Sequence, residues 1–303
     1  MGVHDYLTMT TEQELFDTML HGFQLISGFI FCALLLVGSS PYGSQTSYDG
    51  VFAVNGRAAW IVMELVSPSA LLYSYFSQNP VSILPGELLP IARKGASRGS
   101  LVFVFLWTVH YVNRAIVYPL RQPCRKSMHA GIMFCACAFN VVNAYLNGRW
   151  LATANLGTVS GGWNCWRFVA GVVLFVVGFA GNIHHDNILM RLRSKSNANA
   201  SRSAAGSGGF AEALSKNKQK ESESSKYSIP RGSLFELVSC PHFLCEVAEW
   251  TGFAVASGSP AAWTFVLNVL CNLAPRAHFI HRWYARTFPR YPSARKAMIP
   301  FVF

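Results

Sequence analysis

Several stretches of this sequence put polar side chains at spacings that a helix would align. In RAAWIVMEL (57–65), Trp60 and Glu64 are four residues apart and share one helix face, with Glu64 inside an apolar run. Such a carboxyl is either satisfied structurally by a neighbouring helix, or it is an acid held ready to give a proton or a hydrogen bond. In HYVNRAIVYPLR (110–121), Tyr111, Arg114 and Tyr118 recur at i, i+3 and i+7, which is one stripe. Tyr and Arg near a helix end also serve as interface anchors, so topology alone explains part of this pattern. In GNIHHDNILMRLR (181–193), Asn182, Asp186 and Arg193 fall at i, i+4 and i+11, aligning an amide, an acid and a base beside His185. In CPHFLCEVAEW (240–250), His242, Glu246, Glu249 and Trp250 lie at i, i+4, i+7 and i+8. Two carboxylates and a histidine on one inward face need partners, and Arg114 is a candidate for one of them by charge. The last apolar run carries Arg276, His278, His281, Arg282 and Tyr284.

These groups point away from several common chemistries. His184 and His185 are adjacent, and His278 and His281 are three apart, so neither an HxxxH nor an HxxHH box forms a metal ligand set. No GxGxxG or GxxxxGK[ST] motif is present for a Rossmann or P-loop nucleotide site, and no GxSxG for a nucleophile elbow. None of the eight cysteines forms a CxxC pair, so neither a zinc site nor a disulfide framework is indicated.

The elements that must position these residues follow from composition. The chain is 51% hydrophobic and only 13% charged, against about 25% charged in a soluble domain. That describes a polytopic, all-α integral membrane protein. Seven apolar runs approach the span length of about 20 residues, at 18–38, 58–76, 100–120, 129–150, 163–189, 236–256 and 260–284. The second holds Glu64 and Pro68, and the sixth Glu236, His242, Glu246 and Glu249. Charge within a membrane usually faces the bundle interior or a cavity, so these weak spans are informative. The net charge of +11 falls between apolar spans, which disfavours nucleic acid and fits anionic lipid or a phosphorylated small molecule. Lys and Arg crowd 121–128, 190–232 and the C-terminal tail, which puts those segments in the cytoplasm and the N-terminus in a lumen. The N-terminus carries Asp5, Glu12, Glu14 and Asp17 and lacks the basic start of a cleavable signal. The chain reads as one domain over 1–303. Residues 194–226, rich in Ser, Ala, Asn, Gly and Lys, are expected as a disordered cytoplasmic insertion.

Taken together, RAAWIVMEL, HYVNRAIVYPLR, GNIHHDNILMRLR with YSIPRGSLFELVSCPHFLCEVAEWTGFA (227–254), and RYPSARKAMIPFVF (290–303) resemble the steroid 5α-reductase family, the membrane 3-oxo-5α-steroid 4-dehydrogenases. The resemblance implies seven transmembrane helices enclosing a sterol and NADPH cavity in the endoplasmic reticulum. It implies hydride addition to the 4,5 double bond of a 3-oxo steroid. Glu64 and Tyr111 match the family's pair at the substrate carbonyl, and Trp60 matches a residue lining the sterol cavity. Tyr42, Arg114, Arg125, Asn182, Asp186, Arg193, Tyr227, His242, Arg276 and Tyr284 match the cofactor side. His242 stands where steroid-reducing members usually carry Asn. Ser228 replaces a usually basic residue, so Arg231 is the substitute for that charge. Reduction of a polyprenol or of a trans-2-enoyl-CoA, by the same superfamily, stays open, as do an isoprenylcysteine methyltransferase and a non-catalytic scaffold. The expected partners are a steroid-like lipid and the membrane, with neither metal nor nucleic acid.

Overall fold

A computed structural model describes residues 3–37, 48–78, 98–123, 126–154, 165–206 and 227–303. These residues are mostly helical. The elements are α1 (Val3–Val37), β1 (Ala53–Val54), α2 (Gly56–Gln78), α3 (Arg98–Val112), a π-helical stretch (Asn113–Val117), α4 (Tyr118–Arg121), β2 (Met128–His129), α5 (Ala130–Thr153), α6 (Cys165–Gly206), a 3₁₀ turn (Ser233–Glu236), α7 (Pro241–Ser257) and α8 (Pro260–Thr287).

Five of the seven expected spans are helices long and apolar enough to cross a bilayer: Gln13–Leu36, Gly56–Ser77, Gly99–Arg121, Ala130–Thr153 and Trp166–Ser196. The last two runs fall short of that standard for readable reasons. α7 has 17 residues, because the run expected from 236 becomes helical only at Pro241. Proline suits the first helical position and disfavours helix in the residue before it; Cys240 is accordingly non-helical. α8 has 28 residues, and its second half carries Arg276, His278, His281, Arg282 and Arg286. Pro68 and Pro275 lie inside α2 and α8 without ending them. Neighbouring helices in a membrane bundle satisfy the freed backbone groups.

α6 ends at Gly206, well past the expected boundary at 189. The segment from Ser194 to Gly206 contains no proline and several good helix formers, so a helix already nucleated in the apolar part propagates through it. This part of the expected insertion is therefore helical; 207–226, Tyr42 and Arg125 lie outside the described residues.

Helices in lipid gain little from burying apolar surface against each other, so close packing of small residues governs their association. α6 and α7 meet through glycines. A Cβ on Gly171, Gly178 or Gly252 would strike backbone atoms of the facing helix. At one end of the bundle, β1 pairs antiparallel with β2, Ala53 opposite His129, and Arg57 donates to the Gln122 carbonyl at 2.7 Å. The segments before α2 and after α4 therefore share a face. The C-terminal tail folds back likewise: Lys296 N donates to Leu237 O, and Ser239 N and Cys240 N donate to the carbonyls of Lys296 and Ala297. The turn from α7 to α8 is set by Gly258 in the left-handed region (φ 68°) and by Ser259, whose side chain accepts from Ala262 N.

Candidate functional site

The site begins with a proline. Helical carbonyls normally accept from an amide four residues on, but Pro119 has no amide hydrogen. The chain widens just before it: Tyr118 N donates to Asn113 O, five residues back, closing a π-helical turn. The Arg114 carbonyl is then passed over by Tyr118 and cannot be reached by Pro119. It accepts instead from Trp60 Nε1 on α2, at 3.0 Å. The Arg114 guanidinium folds over the Trp60 and Tyr118 rings, 5.0 and 5.3 Å from their centroids. Trp60, Arg114 and Tyr118 thus form one packed unit across α2 and the π-helical turn.

That guanidinium gathers carboxyls from three helices. Glu64 of α2 lies at 4.0 Å, Asp186 of α6 at 3.9 Å and Glu246 of α7 at 3.6 Å. The expected partnership of Arg114 with an acid of α7 is present, with Glu246. Asn182 Nδ2 ties α6 to α7 by donating to the His242 carbonyl at 3.0 Å and towards Glu246 Oε2 at 3.5 Å. Asn182 and Asp186 are both buried.

Tyr111 lies beside this cluster, buried among rings. Trp107 stacks on it with centroids 5.4 Å apart, His110 meets it edge-on at 4.9 Å, and Trp250 is at 6.1 Å. Its hydroxyl is within electrostatic reach of Glu64, Glu246 and Arg114, and interacts with Ser67. Ser67 also accepts from Trp107 Nε1 at 3.2 Å. Glu249 does not turn to Arg114. It pairs with His110, Nδ1 to Oε1 at 2.6 Å, with both side chains inside the core. The sequence reading singled out Glu249 but not His110, because His110 stands off the Tyr111–Arg114–Tyr118 stripe.

A second group lies further along α6, α7 and α8. Arg193, Arg276 and Arg114 all act electrostatically on His242, and Arg276 covers the Phe243 ring at 5.2 Å. Tyr284 stacks on Tyr291 of the tail, at 5.5 Å and 10°, and feels Arg193 and Arg295. Tyr227 meets Trp283 edge-on at 5.2 Å. Arg231 is turned outward, its side chain 60% exposed, and donates to Glu236 Oε2 at 3.3 Å. The buried cation of this segment is Arg295, which sequence reading missed. It donates to the Pro230 carbonyl at 3.0 Å and to Glu236 Oε2 at 3.2 Å, holding the 230–236 segment against the tail. Its place in the terminal RYPSARKAMIPFVF motif was the available signal. The Gly232 amide beside Glu236, with Arg231 and Arg295, holds the Glu236 carboxyl below its ordinary range. Among the described residues no three His, Cys, Asp or Glu side chains converge as a metal site.

The arrangement is that of a helical membrane protein in which an acid, a tyrosine and a tryptophan adjoin a cation-rich corner across one arginine. The model of the 3-oxo-5-alpha-steroid 4-dehydrogenase family matches residues 126–212 and 210–303. Over 278 residues the chain is 34% identical to the steroid 5-alpha-reductase DET2 of Arabidopsis thaliana, covering 89% of this chain and 90% of that protein. Over 276 residues it is 32% identical to the 3-oxo-5-alpha-steroid 4-dehydrogenase 1 of Bos taurus, covering 91% and 92%. An uncharacterized protein of Schizosaccharomyces pombe is 33% identical over 290 residues, covering 91% and 95%. The chain belongs to the 3-oxo-5-alpha-steroid 4-dehydrogenase family of membrane oxidoreductases.

Proposed function

We propose that this protein is an NADPH-dependent reductase of the 4,5 double bond of a 3-oxo steroid or sterol-derived enone, forming the 5α-reduced product. The observation that carries the reading is the Arg114 guanidinium within 4.0 Å of carboxyls from α2, α6 and α7. One guanidinium is shared among carboxyls from three helices, so a proton on one of them relieves their mutual repulsion. A proton on Glu64, among the weaker of these contacts, makes it a hydrogen-bond donor beside Tyr111.

The chemistry needs such donors. Hydride adds poorly to an isolated alkene, and readily to one conjugated with a carbonyl whose oxygen is held as in an oxyanion hole. NADPH, when bound, supplies the hydride. Glu64 and the Tyr111 hydroxyl hold the substrate's 3-oxo oxygen as charge moves onto it during addition at C5. A proton then reaches C4 and the ketone reforms, so one hydride and one proton are consumed. Trp60, fixed by its bond to the Arg114 carbonyl, walls the apolar side where a sterol would lie.

The residues present fit a phosphate-bearing dinucleotide. His242 Nδ1 is buried without a hydrogen-bond partner among the described residues, and Arg193 and Arg276 act on that histidine. Arg193, His242, Arg276 and Tyr284 would hold it, with Asn182 and Asp186 nearer the reacting end; charge-assisted bonds to phosphate are among the strong ones. Arg231 would have to turn inward from Glu236 to join them. In this reading α7 and α8 also cross the membrane, giving seven spans in the endoplasmic reticulum with a lumenal N-terminus. That topology puts the segments before α2 and after α4 on one side, as the β1–β2 pair does, and the segment before α7 with the tail, as the tail's fold-back does.

The test is expression in membranes with NADPH and a mixture of progesterone, testosterone, a sterol 4-en-3-one, a polyprenol and a trans-2-enoyl-CoA. Mass spectrometry scores the gain of two hydrogens, with Glu64→Gln as control. A 5α-reduced steroid that is lost in the variant supports the proposal. Reduction of polyprenol or enoyl-CoA alone overturns the substrate class and keeps the reductase.

A further inference from the structure

A buried histidine–glutamate pair stands behind Tyr111, apart from the residues assigned to the cofactor. His110 Nδ1 and Glu249 Oε1 are 2.6 Å apart. Glu249 is fully buried and His110 nearly so, and Glu249 Oε2 has no hydrogen-bond partner among the described residues. A buried pair of this kind offers little net stability over a well-packed apolar pair, because desolvation opposes the attraction. Its use is therefore sought in what it holds in place.

The geometry singles out Tyr111. His110 precedes it on α3, and Trp250 follows Glu249 on α7. The His110 ring lies 4.9 Å from Tyr111 and 4.6 Å from Trp250, meeting both edge-on. Trp107 closes another side of the tyrosine by stacking and also meets Trp250 at 5.0 Å. Two of the rings enclosing Tyr111 thus belong to, or adjoin, the paired residues. The α3 helix also changes geometry directly afterwards, at the π-helical turn from Asn113. A π turn within an α-helix is a local irregularity often found at functional sites, so the helix before it needs an anchor if Tyr111 is to keep its aim towards Glu64 and Ser67. On the far side, Gly178 of α6 lets that helix seat directly on the Glu249 backbone. The Glu249 end of the pair is thereby fixed between two helices.

We propose that the His110–Glu249 pair is the positioning element for the Tyr111 hydroxyl, clamping α3 to α7 one residue before the tyrosine and so governing the chemical step without governing cofactor affinity. The inference rests on the reading of Tyr111 as a donor to the substrate carbonyl. His110 and Glu249 act through Tyr111; they are positioning residues and not catalytic ones.

The experiment uses the full chain in nanodiscs, with Glu249→Leu, Glu249→Gln and Tyr111→Phe, and with Glu249→Leu combined with Tyr111→Phe. Glu249→Leu should lower kcat for a 4-en-3-one on the order of 100-fold, the size of effect that a 1 Å misplacement produces, with the Kd for NADPH changed less than twofold. Glu249→Gln, which keeps the shape and a hydrogen bond to His110, should recover most of that loss. In the Tyr111→Phe background, Glu249→Leu should cost almost nothing more, because residues acting as a unit are non-additive. An additive loss, a parallel weakening of NADPH, or a glutamine variant as impaired as leucine would each overturn the proposal. A second readout needs no turnover: 3-fluorotyrosine at position 111, read by ¹⁹F NMR, should shift or broaden in Glu249→Leu and match wild type in Glu249→Gln. If wild type reduces no enone, the function proposed above fails, while an unmoved fluorine signal in Glu249→Leu overturns the positioning role on its own.

Discussion

Gly178→Ala adds one methyl group where α6 rests on α7. The new Cβ would lie nearest the Glu249 amide nitrogen and 2.7 Å from both Cys245 O and Glu249 Cα. All three obstacles are backbone atoms, so no side chain can swing aside. Ordinary contact begins near 3.4 Å, and the helices must therefore part locally by something on the order of 1 Å. Helix propensity runs the other way, since alanine in place of glycine is worth up to about 1 kcal/mol. Overpacking costs about 1–3 kcal/mol, and here the clash should outweigh the propensity gain. The functional consequence is larger. Asn182 and Asp186 sit on the α6 side of this contact, and Glu246 and Glu249 on the α7 side. A misplacement of about 1 Å between catalytic elements lowers turnover on the order of 100-fold. The assay is enone reduction in membranes beside thermal unfolding in detergent, with Gly28→Ala as control, since a Cβ there meets nothing within 4 Å. Wild-type turnover and an equal or raised Tm for Gly178→Ala would refute the argument, because they would mean that the two helices separate freely without disturbing the site.

Glu64→Gln should lower turnover roughly 100- to 1000-fold, the loss seen when an oxyanion-hole donor is removed, with NADPH binding by fluorescence titration unchanged. Arg193→Ala should weaken NADPH more than NADH if Arg193 holds the 2′-phosphate; equal weakening in paired titrations rejects that assignment. Arg295→Ala should free the 230–236 segment from the tail, so amide exchange at Leu237, Ser239 and Lys296 should speed while exchange in α2 stays as it was. The carboxyl of Glu236 is held below its ordinary range in the folded protein, so its contribution is present above the unfolded value and is lost as pH falls through the folded one. Protection factors in the tail, exchange corrected for the intrinsic rate at each pH, should therefore fall as pH drops below about 4, the ordinary range of a glutamate, and Glu236→Gln should flatten that dependence.

Patterns that depend on local spacing were legible in the linear chain. The low charge content and the apolar runs define a helical membrane protein, because a bilayer demands long apolar stretches whose backbone bonds close internally. Helical spacing put Trp60 with Glu64, and Asn182 with Asp186, on shared faces, since both pairs are four apart. Charge alone nominated Arg114 as the partner of an α7 acid, and the structure supplies Glu246. What stayed hidden depends on which helix lies against which. His110 and Glu249 are 139 residues apart, and no periodicity within either helix reports the other. By charge the sequence nominated Arg231 and passed over Arg295; the fold-back of the tail buries Arg295 and leaves Arg231 facing water. The π-helical turn had a sign in the sequence, Pro119, but its consequence for Trp60 needed α2 alongside. Helix ends followed the same division. Pro241 halted a run that hydropathy extended to 236, whereas α6 continued to Gly206 because nothing in its own residues stopped it. The sequence by itself determined the helices and their polar faces, which local spacing and solvation decide; the tertiary structure alone determined the pairings between those faces, because a helix's periodicity carries no record of its neighbour.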